Sequence, residues 1–376
     1  GQHIATFEPL LSDNVSAVRD ITSPAKRSQA HQDSAYDDFD LSNADCTDVE
    51  KEQLLLILQK HKHAFMDKQK NLGFCDIVKH RILMKPDAEY KDTQPFRFPP
   101  DVREQINLQI KYLLDQGVIE RDKEILFASP LLAVKKHCKK SQKHVHKPST
   151  PEYRMVLDLR SLNGQSLYYK FCMPNFSSFL DTLAEKKPKF FSSLDLASGF
   201  SQLALEDESK KLCGFHWEGH SYNYSRMAQG LAGAPSTFSR ALSIILKDYL
   251  NDSVLLYIDD ILIISPDFET HKRDIENVLM ALHNANLKIS QSKCSFAKTE
   301  IKYLGHIISQ KGITPAEDHT AALATFPTPT DKKSLKSLLG IITYFQSFIP
   351  NRAKLVKPLQ KLVTPKAKFE WNTECE

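Results

Sequence analysis

The chain has few features that would place it outside the ordinary globular class. Its seven cysteines, at positions 46, 75, 138, 172, 213, 294 and 375, are odd in number and include no CxxC pair. That pattern argues against a disulfide scaffold or a four-cysteine zinc site, and predicts reduced thiols in an intracellular setting. Glycine is scarce, 12 of 376 residues, and proline is only 19, which excludes collagen-like and Gly/Pro-repeat architectures. Charge of one sign is scarce too. Fifty Lys plus Arg against 46 Asp plus Glu leave a net charge of +4. Any electrostatic footprint must therefore be local. No apolar run reaches the roughly 18 residues that a membrane span needs. The strongest candidate, 254–264, is split by Asp259 and Asp260. The start, Gly1-Gln2-His3-Ile4, has no initiator Met, basic n-region or apolar h-region, and reads as part of something longer.

What is present is enough for a sizeable core. Hydrophobic residues make up 41% of the chain and charged residues 26%, and the length allows two or three domains. Residues 1–45 show no lasting periodicity and lead into an acidic stretch, read as a solvated linker. Thr47 and Glu50 form a T-x-x-E capping box, predicting a helix with Leu54, Leu55 and Leu58 on one face. A second helix follows the extended Phe96-Arg-Phe-Pro-Pro100, carries Val102, Ile106 and Ile110, and stops at Gly117. Strands are predicted at 118–119, 131–134, 153–159 and 190–196. A helix opens at Pro235, and another spans 271–287. Residues 254–264 read as a β-hairpin with Asp259-Asp260 at its turn. Beyond Ile301-Lys-Tyr-Leu-Gly-His306, prolines at 315, 327, 329 and 350 punctuate what reads as short helices.

The chemistry concentrates in three carboxylates. In Tyr257-Ile258-Asp259-Asp260, two adjacent acids sit among apolar residues that should be buried. They would repel each other, and burial would be costly, unless cations neutralise them. Alone, the pair could simply make a surface turn. Asp195 ends another apolar strand, where it could equally be a cap or turn residue. If the two strands are neighbours, Asp195 and Asp259 converge, and strand alternation leaves Asp260 as the less direct partner. Carboxylates with substrate phosphates suit Mg²⁺, and a pair of such ions suits in-line nucleotidyl transfer.

With these residues in place, the chain resembles the reverse transcriptases of LTR retrotransposons and retroviruses, of the gypsy type. The resemblance spans roughly 48–376. It rests on Phe96-Arg-Phe-Pro-Pro100, Gly117-Val-Ile-Glu120 before Ser129-Pro130, Tyr153-Arg-Met-Val-Leu-Asp-Leu-Arg-Ser-Leu-Asn163, Ser193-Leu-Asp-Leu-Ala-Ser-Gly-Phe-Ser-Gln202, Gln229-Gly230, Ala234-Pro235-Ser-Thr-Phe238, Tyr257-Ile-Asp-Asp260 and Tyr303-Leu-Gly-His306. It implies an α+β right-hand polymerase whose antiparallel palm sheet is backed by helices, with the aspartates on its open face. The expected layout is a linker over 1–45 following a protease region, a helical and extended segment over 46–94, fingers and palm over 95–308, and a thumb or connection over 309–376. Within this, fingers take 95–170 and 203–238, and palm takes 171–202 and 239–308. An RNase H domain is expected to be absent.

The resemblance also implies roles. Asp195, Asp259 and Asp260 would hold two Mg²⁺ ions, with Mn²⁺ as a substitute. Arg154 would grip the incoming triphosphate, helped by Lys136. Phe200 would close against the sugar and reject a 2′-hydroxyl. Gln229 and Gly230 would lie over the nucleotide, and Leu304 and Gly305 would hold the primer terminus. The partners implied are an RNA template, a DNA primer and product, dNTPs, and the protease, RNase H and integrase of one polyprotein, without a membrane. The location implied is cytoplasmic, within virus-like particles. A non-catalytic, nucleic-acid-binding role stays open beside this one.

Some residues depart from the family pattern. Met227-Ala-Gln-Gly230 stands where Met-Pro-Phe-Gly is usual. The Lys- and His-rich run 135–147 is an insertion that either contacts a nucleic-acid backbone or is a solvated loop. Cys138, His144 and His146 are a weak zinc candidate. Lys293 could face the departing pyrophosphate but reads better as a solvated surface lysine.

Overall fold

The fold is an antiparallel sheet with apolar residues on both faces, and the sequence of each strand explains why. In the computed structural model, residues 36, 38–136, 153–168, 176–316, 320–321, 325–364, 368–373 and 375 are described, all within the unit Tyr36–Glu376. The central sheet runs Val254–Tyr257, Asp260–Ser265, Phe190–Leu194, Ser295–Lys298 in that spatial order, and each neighbouring pair is antiparallel. Val254, Leu256, Ile261, Ile263 and Leu194 point into the larger core with the helices Ala234–Ile245 and Phe268–Asn284. The alternate residues Leu255, Leu262, Ile264 and Phe191 point into a second core with Phe179, Leu183, Ile301, Tyr303 and Ile308. Strands buried on both sides read as near-continuous apolar runs rather than alternating ones. This is why 254–264 looked like the strongest candidate for a membrane segment. Among the described residues, no helix is long and apolar enough to cross a membrane.

Local signals place the surrounding elements. Thr47 and Glu50 form the expected capping box at the start of Asp48–Lys60. Helix Pro100–Asp115 begins with Pro at its first position and ends before Gly117, whose φ of +61° is the left-handed stop that glycine adopts without strain. The hairpin Leu131–Lys135/Tyr153–Leu157 projects with Val134 opposite Arg154. A hairpin at Gly214–Trp217/His220–Tyr224 turns through Glu218-Gly219, both at positive φ.

Three expectations need correction. The turn of the central hairpin is Ile258-Asp259, with Asp260 already in its strand and paired with Tyr257. The Leu304-Gly305 hairpin turn is present as expected, but residues 307–315, read as the start of short helices, are not helical. Glu300–Tyr303, His306–Ser309 and Gly312–Pro315 form a three-stranded sheet, folded by positive φ at Leu304, Gly305 and Gly312. Residues 38–45 are held on the body by Phe39, Leu41 and Ala44, while Asp38, Asp40 and Asp45 stay exposed. Phe39 packs edge-on to Phe65 at 4.9 Å, the Asp45 N–H donates to Ala297 O at 2.9 Å, and the Asp45 carboxylate accepts from Thr299. One aromatic ring and one well-placed carboxylate outweigh the acidic composition there.

The sheet is tied to its helix by a buried chain of hydrogen bonds. The Ala297 N–H donates to Ser192 Oγ at 2.9 Å, and Ser192 Oγ lies 2.7 Å from His271 Nε2. His271 Nδ1 lies 2.9 Å from Ser265 Oγ, which donates to Asp274 Oδ2 at 2.6 Å. Because the Ser265 hydroxyl gives its proton to the carboxylate, its oxygen accepts from His271 Nδ1–H, and Nε2 accepts from Ser192. This directional chain needs a neutral imidazole. Burial pushes His271 down to about 3. The unfolded chain takes up that proton as pH falls through about 6.5 and the folded chain does not, so stability is lost as pH falls through this window. We expect stability to drop by about 1.4 kcal/mol more per pH unit below pH ~6 in the native chain than in His271→Asn, in urea titrations at stepped pH. Equal slopes would refute the neutral-histidine assignment.

Candidate active site

Strand pairing gathers the three carboxylates at one end of the sheet. Ile261 pairs with Leu194, so the next step along the ladder sets Asp260 opposite Asp195. Both continue the face that carries Leu262 and Phe191 in the second core, which ends here. Asp259 sits beside them in the two-residue turn. Alternation therefore puts Asp260 on the same sheet face as Asp195, not behind it, and the turn brings Asp259 to the same edge. Ile258, the other turn residue, has φ +59°. Positive φ at only the first central position is the pattern of a type II′ turn, where glycine is usual. A β-branched residue there is strained, and such strain is commonly found at functional sites.

The carboxylates feel one another. Burial raises the Asp260 carboxyl above its ordinary value, and the charges of Asp259 and Asp195 raise it further. The Tyr303 hydroxyl, which donates to Asp260 O at 2.9 Å, is raised by burial and then by Asp260 and Asp259. Lys293 is exposed, as the sequence reading expected, and its Nζ lies 3.1 Å from Asp195 Oδ1. Neither Asp259 nor Asp260 has an ion-pair partner among the described residues. Among the described residues, no set of three His, Cys, Asp or Glu is already arranged to hold a metal ion. An all-oxygen donor set with unbalanced negative charge still fits hard divalent cations such as Mg²⁺.

The remaining candidates lie on other elements. Arg154 is exposed on the projecting hairpin, and Lys136, two residues beyond Val134, falls on the same side of that ribbon. Residues 137–147 of the basic run, including Cys138, His144 and His146, lie outside the described residues. Phe200 lies in the 3₁₀ turn Gly199–Gln202, half-buried, with its ring edge-on to Phe238 at 5.3 Å. A Cβ at position 199 would come 2.7 Å from Phe238 Cζ, so only glycine lets the backbone approach that ring. Gln229 and Gly230 are exposed on a turn whose preceding residues, Met227 and Ala228, are buried. Leu304 and Gly305 form the Tyr303–His306 hairpin turn, both at positive φ as a type I′ turn requires. Tyr344 of the helix Lys332–Tyr344 donates its hydroxyl to Leu304 O at 2.7 Å.

Residues 145–308 match the family described as reverse transcriptase (RNA-dependent DNA polymerase). The Pol polyprotein of Drosophila melanogaster transposon 297 is 31% identical over 315 residues, covering 84% of this chain and 29% of the relative. The gypsy Pol polyprotein of the same fly is 32% identical over 258 residues, covering 69% and 24%.

Residues 145–308 form a reverse transcriptase domain.

The chain spans less than a third of the length of these curated relatives. The structure of the foamy viral protease–reverse transcriptase in complex with an RNA/DNA hybrid shares the fold, with TM-score 0.70 and 24% identity, covering 89% of this chain and 43% of that one. Its dRH form in complex with double-stranded DNA gives TM-score 0.72 at 24% identity, covering 89% and 56%. The right-hand polymerase fold expected from the motifs is therefore the one observed.

The structure also gives importance to two residues that were quoted in motifs without a role. Asn163 donates from Nδ2 to Gly230 O at 2.8 Å and accepts at Oδ1 from the Ala232 N–H at 2.9 Å, clamping the turn that carries Gln229. Gln202, fully buried, donates to Ala197 O and Lys288 O and accepts from the Gly73 and Lys288 N–H groups, fixing the segment between Asp195 and Phe200. Their position at the end of a matching motif was the available signal. Asn163→Ala removes both clamp bonds. At about 1 kcal/mol each, amide exchange at Ala232 should rise roughly ten- to a hundredfold, as hydrogen–deuterium exchange would read. An unchanged rate would show that other contacts hold the turn.

Proposed function

We propose that this chain is an RNA-directed DNA polymerase, adding deoxynucleotides to a primer 3′-hydroxyl on an RNA or DNA template. The observation that carries this reading is the Ile261–Leu194 pairing, which leaves Asp260 and Asp195 each one residue beyond it, beside the Ile258-Asp259 turn. Asp195, Asp259 and Asp260 would hold two Mg²⁺ ions, or Mn²⁺ in their place. Bound divalent ions make a hydroxyl more acidic and offset charge on phosphate oxygens. The apolar sheet behind the carboxylates keeps water from that side.

The other residues orient the substrate. Arg154, with Lys136 on the same side of its ribbon, supplies charge for a triphosphate; the planar, permanently charged guanidinium suits paired phosphate oxygens. Phe200, fixed by Phe238 and by the close approach at Gly199, presents an aromatic edge where a sugar 2′-hydroxyl would collide. Gln229 and Gly230, on the Asn163-clamped turn, cover the base and sugar. Leu304 and Gly305, held by Tyr344, support the primer end. In this scheme 309–376 acts as the thumb, although the strand Gly312–Pro315 belongs with the hairpin sheet. Protease, RNase H and integrase would be supplied by neighbouring parts of a polyprotein, inside virus-like particles.

Asp259→Asn should lower Mg²⁺-dependent primer extension at least about a hundredfold while leaving the thermal unfolding midpoint near that of the native chain. A native chain that binds primer–template but never extends it would sink the proposal in favour of a non-catalytic binding role. Phe200→Val should admit ribonucleotides much better, raising their kcat/KM relative to deoxynucleotides by roughly tenfold or more. Unchanged discrimination would remove the gate assignment.

A further inference from the structure

On the helical side of the exposed 229–232 turn is a cavity of about 400 Å³ that none of the assigned roles uses. Its walls are unusually cationic. Lys79 and Arg81 come from the end of the strand Cys75–His80 and the residue after it, and Arg240 from the helix Ala234–Ile245. The one carboxylate in the lining, Glu206, lies 3.4 Å from Arg81 Nε. Asp207, just outside, feels Lys79 but pairs with Lys210 at 2.7 Å. Three cations against one acid leave two positive charges facing the space.

The cavity also has directed donors. His80 is 4% exposed. Its Nδ1 lies 2.8 Å from Thr237 Oγ1, while its Nε2 has no hydrogen-bond partner among the described residues although the ring lines the cavity. When Nδ1 accepts from the threonine hydroxyl, Nε2 carries the hydrogen and offers it to the space. Ser236 lies in the first turn of its helix, which has no side-chain cap; Pro235 has no N–H and the Ala234 and Thr237 N–H groups donate to Leu231 O and Gly233 O, so the Ser236 N–H is the open backbone donor there among the described residues. Gly233, just before that helix, keeps the space open. A Cβ there would come 3.1 Å from His80 Cε1 and 3.2 Å from Tyr168 Cβ. A buried imidazole with one ring nitrogen open to the space, three cations and the Ser236 N–H converging on one concavity make a complementary seat for an oxyanion.

We propose that this cavity is a phosphate-binding site in which Lys79, Arg81 and Arg240 balance the charge and His80 and the helix start donate to the oxygens. The phosphate is either a backbone unit of a nucleic-acid strand or a free phosphate. The strand source rests on the polymerase reading; the site itself does not. Gly233 is three residues from Gly230, so a strand held here would run past the turn carrying Gln229.

The test follows the His80 ring resonances of the full chain by NMR during titration with inorganic phosphate, with chloride at matched ionic strength as control. A parallel titration uses a single-stranded oligonucleotide. Saturable shifts with phosphate or oligonucleotide, weakened about tenfold or more in Lys79→Ala/Arg240→Ala, support the site. Both substituted residues are exposed, and the native chain alone already gives the deciding readout. A response to the oligonucleotide at far lower phosphate concentration assigns the strand source, and an equal response assigns the free anion. No shift with either ligand, or shifts matched by chloride, overturns the proposal. A chain that fails to extend primers yet shows the His80 response would sink the polymerase reading and leave the phosphate site standing.

Discussion

The structure depends on one pairing, Ile261 with Leu194, between antiparallel strands buried on both faces. A slip of one residue would exchange the two faces of a strand. It would drive Asp195 toward the helical core and Leu194 toward the carboxylate edge. Large apolar residues fill both faces, and the polar residues facing the helices, Ser192 and Ser265, are tied to His271, with Ser192 also held by Ala297 and Ser265 by Asp274. Packing and a directional hydrogen-bond chain therefore specify the same register. The carboxylates stand at the edge because the core behind them admits only one alignment.

Much of this architecture was legible in the residues because local and global signals agree there. The Thr47–Glu50 box, the Gly117 stop and the apolar runs at 190–194 and 254–264 each have a local physical reason to be what they are. The convergence of Asp195 with the Asp259-Asp260 pair followed from assuming neighbouring strands, and the ladder supplies that neighbour. The turn was misplaced by one residue because Asp-Asp looks more turn-like than Ile-Asp. Only the tertiary setting makes Ile258 accept a left-handed backbone.

The harder parts were those decided by partners far away in sequence. Residues 38–45 looked like solvent-exposed acidic chain, yet Phe39 finds Phe65, and Asp45 finds Thr299. The strands after His306 were hidden behind Pro315, although the Leu304-Gly305 turn that leads into them was expected; their pairing with one another supplies what the local signal lacked. The Glu218-Gly219 turn was readable in principle, since a glycine stands between two aromatic runs. Lys293 and Asn163 gain meaning only when Asp195 and Gly230 are seen beside them.

The Ile258 corner carries a wider consequence. A two-residue bend linking rigid strands has almost no slack, so the acids on either side of it are located by bond geometry more than by adjustable neighbours. Mutational drift on the outer surface can then accumulate without moving them.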